Sequence, residues 1–154
     1  MKALSRFVLA CALLVQSAAA LADHKPAASI PVADLIQPAT LAADLKRTSA
    51  PKPVILQVGF RTLYVQAHIP GAEYVGAASE DAGLQNLRAR VATLAKDTAI
   101  VIYCGCCPWS HCPNIAAAYD ALHAMGFTGV KVLYIADNFG DNWANQGYPV
   151  AKGS

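Results

Sequence analysis

AIVIYCGCCPWSHCPN, residues Ala99 to Asn114, is the stretch that decides how this chain folds. Its first five residues are apolar without alternation, the pattern of a strand buried on both faces of a parallel sheet. The residues after Tyr103 gather four of the chain's five cysteines, Cys104, Cys106, Cys107 and Cys112, within nine positions. From Asn114, which reads as a helix cap, a helical pattern runs to Met125 and is stopped by Gly126. The segment is therefore a strand, a loop and a helix. In open α/β sheets ligands bind beyond the carboxyl ends of the strands, so these soft nucleophiles lie where a site is expected. Such clustering points to sulfur, redox or metal chemistry.

On either side the same alternation continues. Val54 to Val58 and Val130 to Leu133 are further short apolar runs, and Tyr74-Val75 reads as a brief strand. Between them Leu84, Leu87, Val91 and Leu94 recur at helical spacing, with Arg88 and Arg90 off that stripe and read as solvated. Thr40 is suited to cap a short helix through Leu41, Leu45 and Lys46, which the breaker run Ser49 to Pro53 ends. The stretch after Val58, containing His68-Ile69-Pro70-Gly71, reads as irregular, and Asp137 to Gln146 as a loop with a short helix. Strands alternating with helices predict an α/β domain, a parallel central sheet with helices on both faces.

Residues 1–22 read as an export signal peptide: Lys2 and Arg6 precede the apolar stretch Phe7 to Val15, and small residues surround Ala20-Leu21-Ala22. The stretch is shorter than the roughly 20 apolar residues that span a bilayer, so cleavage before Asp23 is expected rather than anchoring. Cys11 lies too close to the basic start for a lipid-attachment site. Residues 23–29 read as a flexible leader and residues 30–152 as one domain. The predicted location is periplasmic or secreted, with no membrane association after cleavage. Without Lys2 and Arg6 the chain carries 10 basic and 10 acidic residues, and no basic run suits a phosphate backbone, so nucleic acid is excluded as a partner. A chain of this length buries a core without staples, so the cysteines are free for chemistry.

Several motifs, taken in order, resemble the rhodanese-like (sulfurtransferase) domain family. Ile30 to Leu35 is similar to the family's opening, and Tyr64 to Ala72, YVQAHIPGA, to its HIPGA segment. Val101 to Cys104 is similar to the strand ending in the active cysteine, Ala117-Ala118 to Gly126-Phe127 to the following helix, and Trp143 to Val150 to the family's end. The resemblance implies a three-layer fold in which Cys104, as a thiolate, takes sulfane sulfur from a small donor, holds it as a persulfide and passes it to a thiol acceptor or reductant protein, with no cofactor. It also implies an active loop whose inward backbone N–H groups would lower the thiol pKa. Gly105, Trp109 and Ser110 are the candidate pocket residues of that loop, and Arg61, the one cation in the stretch before HIPGA, is read as a surface residue in reach of an anionic donor. The chain departs from the pattern at Gln57-Val58-Gly59, where Asp-Val-Arg is usual, and at Leu63, where Glu is common. The cysteine loop and the Tyr134 to Asn142 loop are longer than usual. Pro113 and Asn114 stand where a phosphatase loop needs arginine.

The loop itself admits further readings. Cys106, Cys107 or Cys112, assisted by His111, are candidates to resolve a persulfide on Cys104, releasing sulfide and leaving a disulfide. Alternatively Cys104, Cys106, Cys107, His111 and Cys112 offer up to five ligands, better suited to Cu(I) than to zinc because all come from one short loop. A third reading makes the cysteines structural disulfides in a non-catalytic binding domain that presents Trp109 to a partner. His68 and Trp143 are read as structural.

Overall fold

The computed structural model describes residues 30–49 and 51–153, so the export-signal and leader expectations fall outside the described residues. The expected runs form β2 (Val54–Gln57), β3 (Glu73–Tyr74), β4 (Ile100–Tyr103) and β5 (Val130–Leu133), and a short strand not anticipated from the sequence, β1 (Leu35–Ile36), precedes them. All pair in parallel in the order β1-β5-β4-β2-β3, which puts β4 at the centre. Gln57 of β2 stands opposite Tyr103 of β4, so the last residues of both strands meet at the edge where the cysteine loop begins.

Burial on both faces follows from the strand period of two. Leu56, Ile100, Ile102, Val130 and Val132 face one layer with Leu87 and Val91 of α3 (Asp81–Val91) and with Ile115 and Leu122 of α4 (Pro113–Ala124). Ile55, Val101, Tyr103 and Leu133 face the other, with Leu41 of α1 (Pro38–Lys46), Tyr64 of α2 (Arg61–Gln66) and Phe139 of α5 (Phe139–Asn142). Trp143 is fully buried in this second layer, and its Nε1 donates to the Pro149 carbonyl at 2.8 Å. This is the α/β three-layer arrangement expected from the sequence. Among the described residues no helix is long and apolar enough to cross a membrane.

Four local expectations are corrected. α1 starts at Pro38 with Gln37 as its N-cap, leaving Thr40 inside the helix, because proline at the first position supplies the start signal instead. Residues Arg61–Gln66 are helical, not irregular; no side chain caps this single short helix, and it is held by Tyr64, whose ring stacks on His68 at 3.9 Å. Arg90 is not simply solvated: its Nη2 donates to Glu73 Oε1 at 2.6 Å, tying α3 to β3. The cap of α4 is Cys112 rather than Asn114, with Pro113 at the first helical position, so Asn114 turns inward and is 2% exposed.

Candidate functional site

β4 ends at Tyr103, and the chain turns at once through Gly105, whose φ of 88° only glycine adopts freely. This turn leaves Cys104 buried, 2% exposed. A Cβ built on Gly59 would lie 2.6 Å from Cys104 Sγ and 2.9 Å from its carbonyl oxygen, so Gly59 leaves the room that the sulfur occupies. Gln57, 2% exposed, spans the same corner: its Nε2 donates to the Cys104 carbonyl at 2.9 Å while its Oε1 accepts from Gly59 N at 3.2 Å. On the far side Asn114 Nδ2 approaches Cys104 Sγ at 3.5 Å, and Asn114 Oδ1 accepts from Ser79 N at 2.9 Å.

The four cysteines are free thiols. Cys104 Sγ lies 3.2 Å from Cys106 Sγ, and Cys106 Sγ lies 3.1 Å from Cys107 Sγ. The sulfurs of Cys104, Cys106 and Cys112 are all within 4.8 Å of one another. A cavity of about 360 Å³ opens beside them, lined by Cys104, Gly105 and Cys106 from the loop, Gln57 from β2, and Asn138 and Phe139 from the chain after β5. Phe139 N donates to the Gly105 carbonyl at 3.0 Å, so the long segment after β5 clamps the cysteine loop and walls the cavity.

Charge is not placed where the sequence suggested. Cys104 and Cys112 are each 2% exposed. The neighbouring Cys112 thiolate, and then burial, push the Cys104 thiol up. Cys112 is lowered to about 5, first by the Cys104 thiol beside it and also by the backbone N–H groups of Ile115 and Asn114 at the start of α4. Burial, and then Cys106, push Cys107 up. The two thiols are thus shifted in opposite directions, Cys104 upward and Cys112 at the α4 cap downward, against the direction expected for a Cys104 thiolate.

The remaining expected residues are separated from the cavity. Trp109 is half-buried at the start of a 3₁₀ turn (Trp109–His111), tilted against Tyr134 at 6.1 Å, with its N–H donating to the Ile135 carbonyl at 2.9 Å. Ser110 and His111 are exposed, and Ser110 Oγ and His111 Nδ1 are 2.9 Å apart, so neither lines the cavity. Arg61 also lies outside it, its guanidinium 5.6 Å from the centre of the Tyr74 ring. Trp109 and Arg61 are engaged by aromatic rings, and Ser110 and His111 by each other. Gln57 and Asn114 were not foreseen as site residues; the one available signal was a polar side chain closing an apolar run, at Gln57.

Comparison with known proteins agrees with this fold. The family model of the rhodanese-like domain matches residues 40–136. No curated protein sequence matches. Among solved structures, the chain is similar to the rhodanese-like domain from an Anabaena sp. protein, with TM-score 0.56, 22% identity, and 77% of this chain and 79% of that one covered. It is also similar to a protein from Bacillus halodurans, with TM-score 0.57, 21% identity, and 76% and 75% covered. A rhodanese-related protein from Thermoplasma volcanium aligns with TM-score 0.52, 20% identity, and 75% and 95% covered. At these identities the likeness is one of fold.

Proposed function

Because this chain belongs to the rhodanese-like domain family, we propose that it transfers or carries sulfane sulfur as a persulfide on Cys104, with Cys106 as the resolving thiol. One observation carries the reading: Cys104 and Cys106 line the same cavity with their sulfurs 3.2 Å apart. Thiosulfate or a persulfide donor enters the cavity, and Cys104 sulfur attacks its sulfane sulfur. The proton of Cys104 leaves to solvent in the cavity that Cys104 lines. The new S–S bond forms as the donor's S–S bond breaks, and the leaving group, sulfite in the case of thiosulfate, departs with the electron pair. The persulfide then goes to an external thiol acceptor. Alternatively, deprotonated Cys106 attacks Cys104 Sγ, hydrosulfide leaves, and the Cys104–Cys106 disulfide is returned to thiols by a dithiol reductant protein.

The test is the intact mass of reduced, metal-free protein after incubation with thiosulfate or polysulfide. A gain of one sulfur in the wild type, absent from Cys104→Ser and accumulating in Cys106→Ser, is the expected result. No gain, or a gain that survives Cys104→Ser, overturns the reading. The proposal extends to location: Lys2, Arg6 and the apolar stretch Phe7 to Val15 support export. N-terminal sequencing of protein recovered from the periplasm or medium is expected to begin at Asp23.

A further inference from the structure

Three sulfurs from one loop converge without belonging to one pair. Cys104 closes the central strand, Cys106 follows the Gly105 turn, and Cys112 caps α4, so strand, turn and helix each fix one corner of a triangle. The three Sγ atoms lie within 4.8 Å of one another, the Cys104–Cys106 side being 3.2 Å. Three sulfurs sharing one ion at metal–sulfur bonds of about 2.3 Å stand about 4 Å apart by plane geometry, which falls inside that span. The geometry points to a three-coordinate thiolate site for a soft d¹⁰ cation, Cu(I), formed by Cys104, Cys106 and Cys112.

The surroundings select the ion. Zinc sites take four ligands, and neither remaining donor of the loop completes the set: His111 is exposed and turned to Ser110, and Cys107, although its Sγ is 3.1 Å from Cys106 Sγ, does not share the 4.8 Å cluster with all three sulfurs. Cu(I) is satisfied by two or three thiolates and is favoured by sulfur over nitrogen or oxygen donors. Cys104 and Cys112 are 2% exposed, which shields the ion, whereas half-buried Cys106 faces the cavity and provides the way in. Binding changes no oxidation state: each of the three sulfurs that still carries a proton gives it to solvent as its Cu–S bond forms. This inference does not depend on sulfur transfer. It uses the same thiols for a different ligand, and a bound ion would block loading of Cys104.

The experiment is an anaerobic titration of reduced protein with Cu(I) presented as its bicinchoninate complex, followed by X-ray absorption on the loaded wild type. Withdrawal of one Cu(I) per chain, with three sulfur neighbours, is expected. Cys104→Ser, Cys106→Ser and Cys112→Ser should each weaken binding more than about tenfold, the scale that even outer-shell partners of a metal command. Cys107→Ser and His111→Ala should bind as the wild type does. No withdrawal of Cu(I), a nitrogen neighbour, a fourth sulfur, tighter binding of Zn(II), or loss of binding in Cys107→Ser or His111→Ala overturns the assignment. The absorption spectrum needs only the wild type, so an unfolded variant does not blunt the test. Sulfur loading measured on metal-free protein reports on the other reading separately.

Discussion

Gly59 has no side chain where Cys104 keeps its sulfur: a Cβ there would approach Cys104 Sγ to 2.6 Å and the Cys104 carbonyl oxygen to 2.9 Å. The sulfur could swing away, but the carbonyl is backbone, fixed by Gln57. Gly59→Ala is therefore expected to destabilise the fold by about 1–3 kcal/mol, the usual cost of overpacking. It should also slow sulfur loading of Cys104 in the intact-mass assay. Unchanged stability with unchanged loading would show that the corner tolerates a methyl group.

Gln57, 2% exposed, joins two backbone groups, accepting from Gly59 N at 3.2 Å and donating to the Cys104 carbonyl at 2.9 Å. Gln57→Leu keeps the volume and removes both bonds. The expected loss is on the order of 2 kcal/mol, because buried donors and acceptors are left unpaired. Denaturant unfolding measures it, and a variant as stable as the wild type would contradict the role given to this residue.

Asn114 links two loops through one side chain, accepting from Ser79 N at 2.9 Å and approaching Cys104 Sγ at 3.5 Å. Asn114→Ala should cost about 1–3 kcal/mol through the stranded Ser79 N–H. Asn114→Asp keeps the acceptor but removes the donor near the sulfur, so it should restore most of the stability while leaving sulfur loading impaired. Equal loading by both variants and the wild type would show that Asn114 is structural alone.

Cys112 provides a pH test. Its folded value of about 5 lies below the ordinary thiol value of 9.0. A depressed value contributes stability that is fully present above 9.0 and is lost as pH falls through about 5. Cys104 and Cys107 are shifted upward, so both remain protonated through this window. Unfolding midpoints of the reduced protein should therefore rise from pH 5 to pH 9, and this rise should be missing from Cys112→Ser. Ultraviolet thiolate absorbance should show one group titrating near the low end of the window. A flat wild-type profile would refute the helix-cap thiolate.

Much of the layer architecture was legible in the chain because its signals are local. Val54 to Val58, Ala99 to Tyr103 and Val130 to Leu133 lack alternation, as strands covered on both sides must, and Leu84, Leu87 and Val91 repeat at helical spacing. The helix Arg61–Gln66 escaped notice for a physical reason: it is short and uncapped, and its support comes from packing of Tyr64 on His68, which no local pattern announces.

The site was legible as chemistry but not as arrangement. Clustering alone showed that sulfur gathers after β4, because soft nucleophiles at a strand end are visible in sequence. How each thiol is shifted depends on neighbours: the Cys104 thiol and then the backbone N–H groups at the start of α4 lower Cys112, which Pro113 makes the cap in place of Asn114. Which donors stay near the thiols depends on competition: Tyr134 engages Trp109, Tyr74 engages Arg61, and Ser110 engages His111, while Gln57 and Asn114 turn inward from elements distant in sequence. The chain by itself thus determined the elements, the layers and the place of the cysteines, since these follow from periodicity and spacing. Only the tertiary structure decided the charge, depth and neighbours of each sulfur, because burial and field are set by residues that meet through folding.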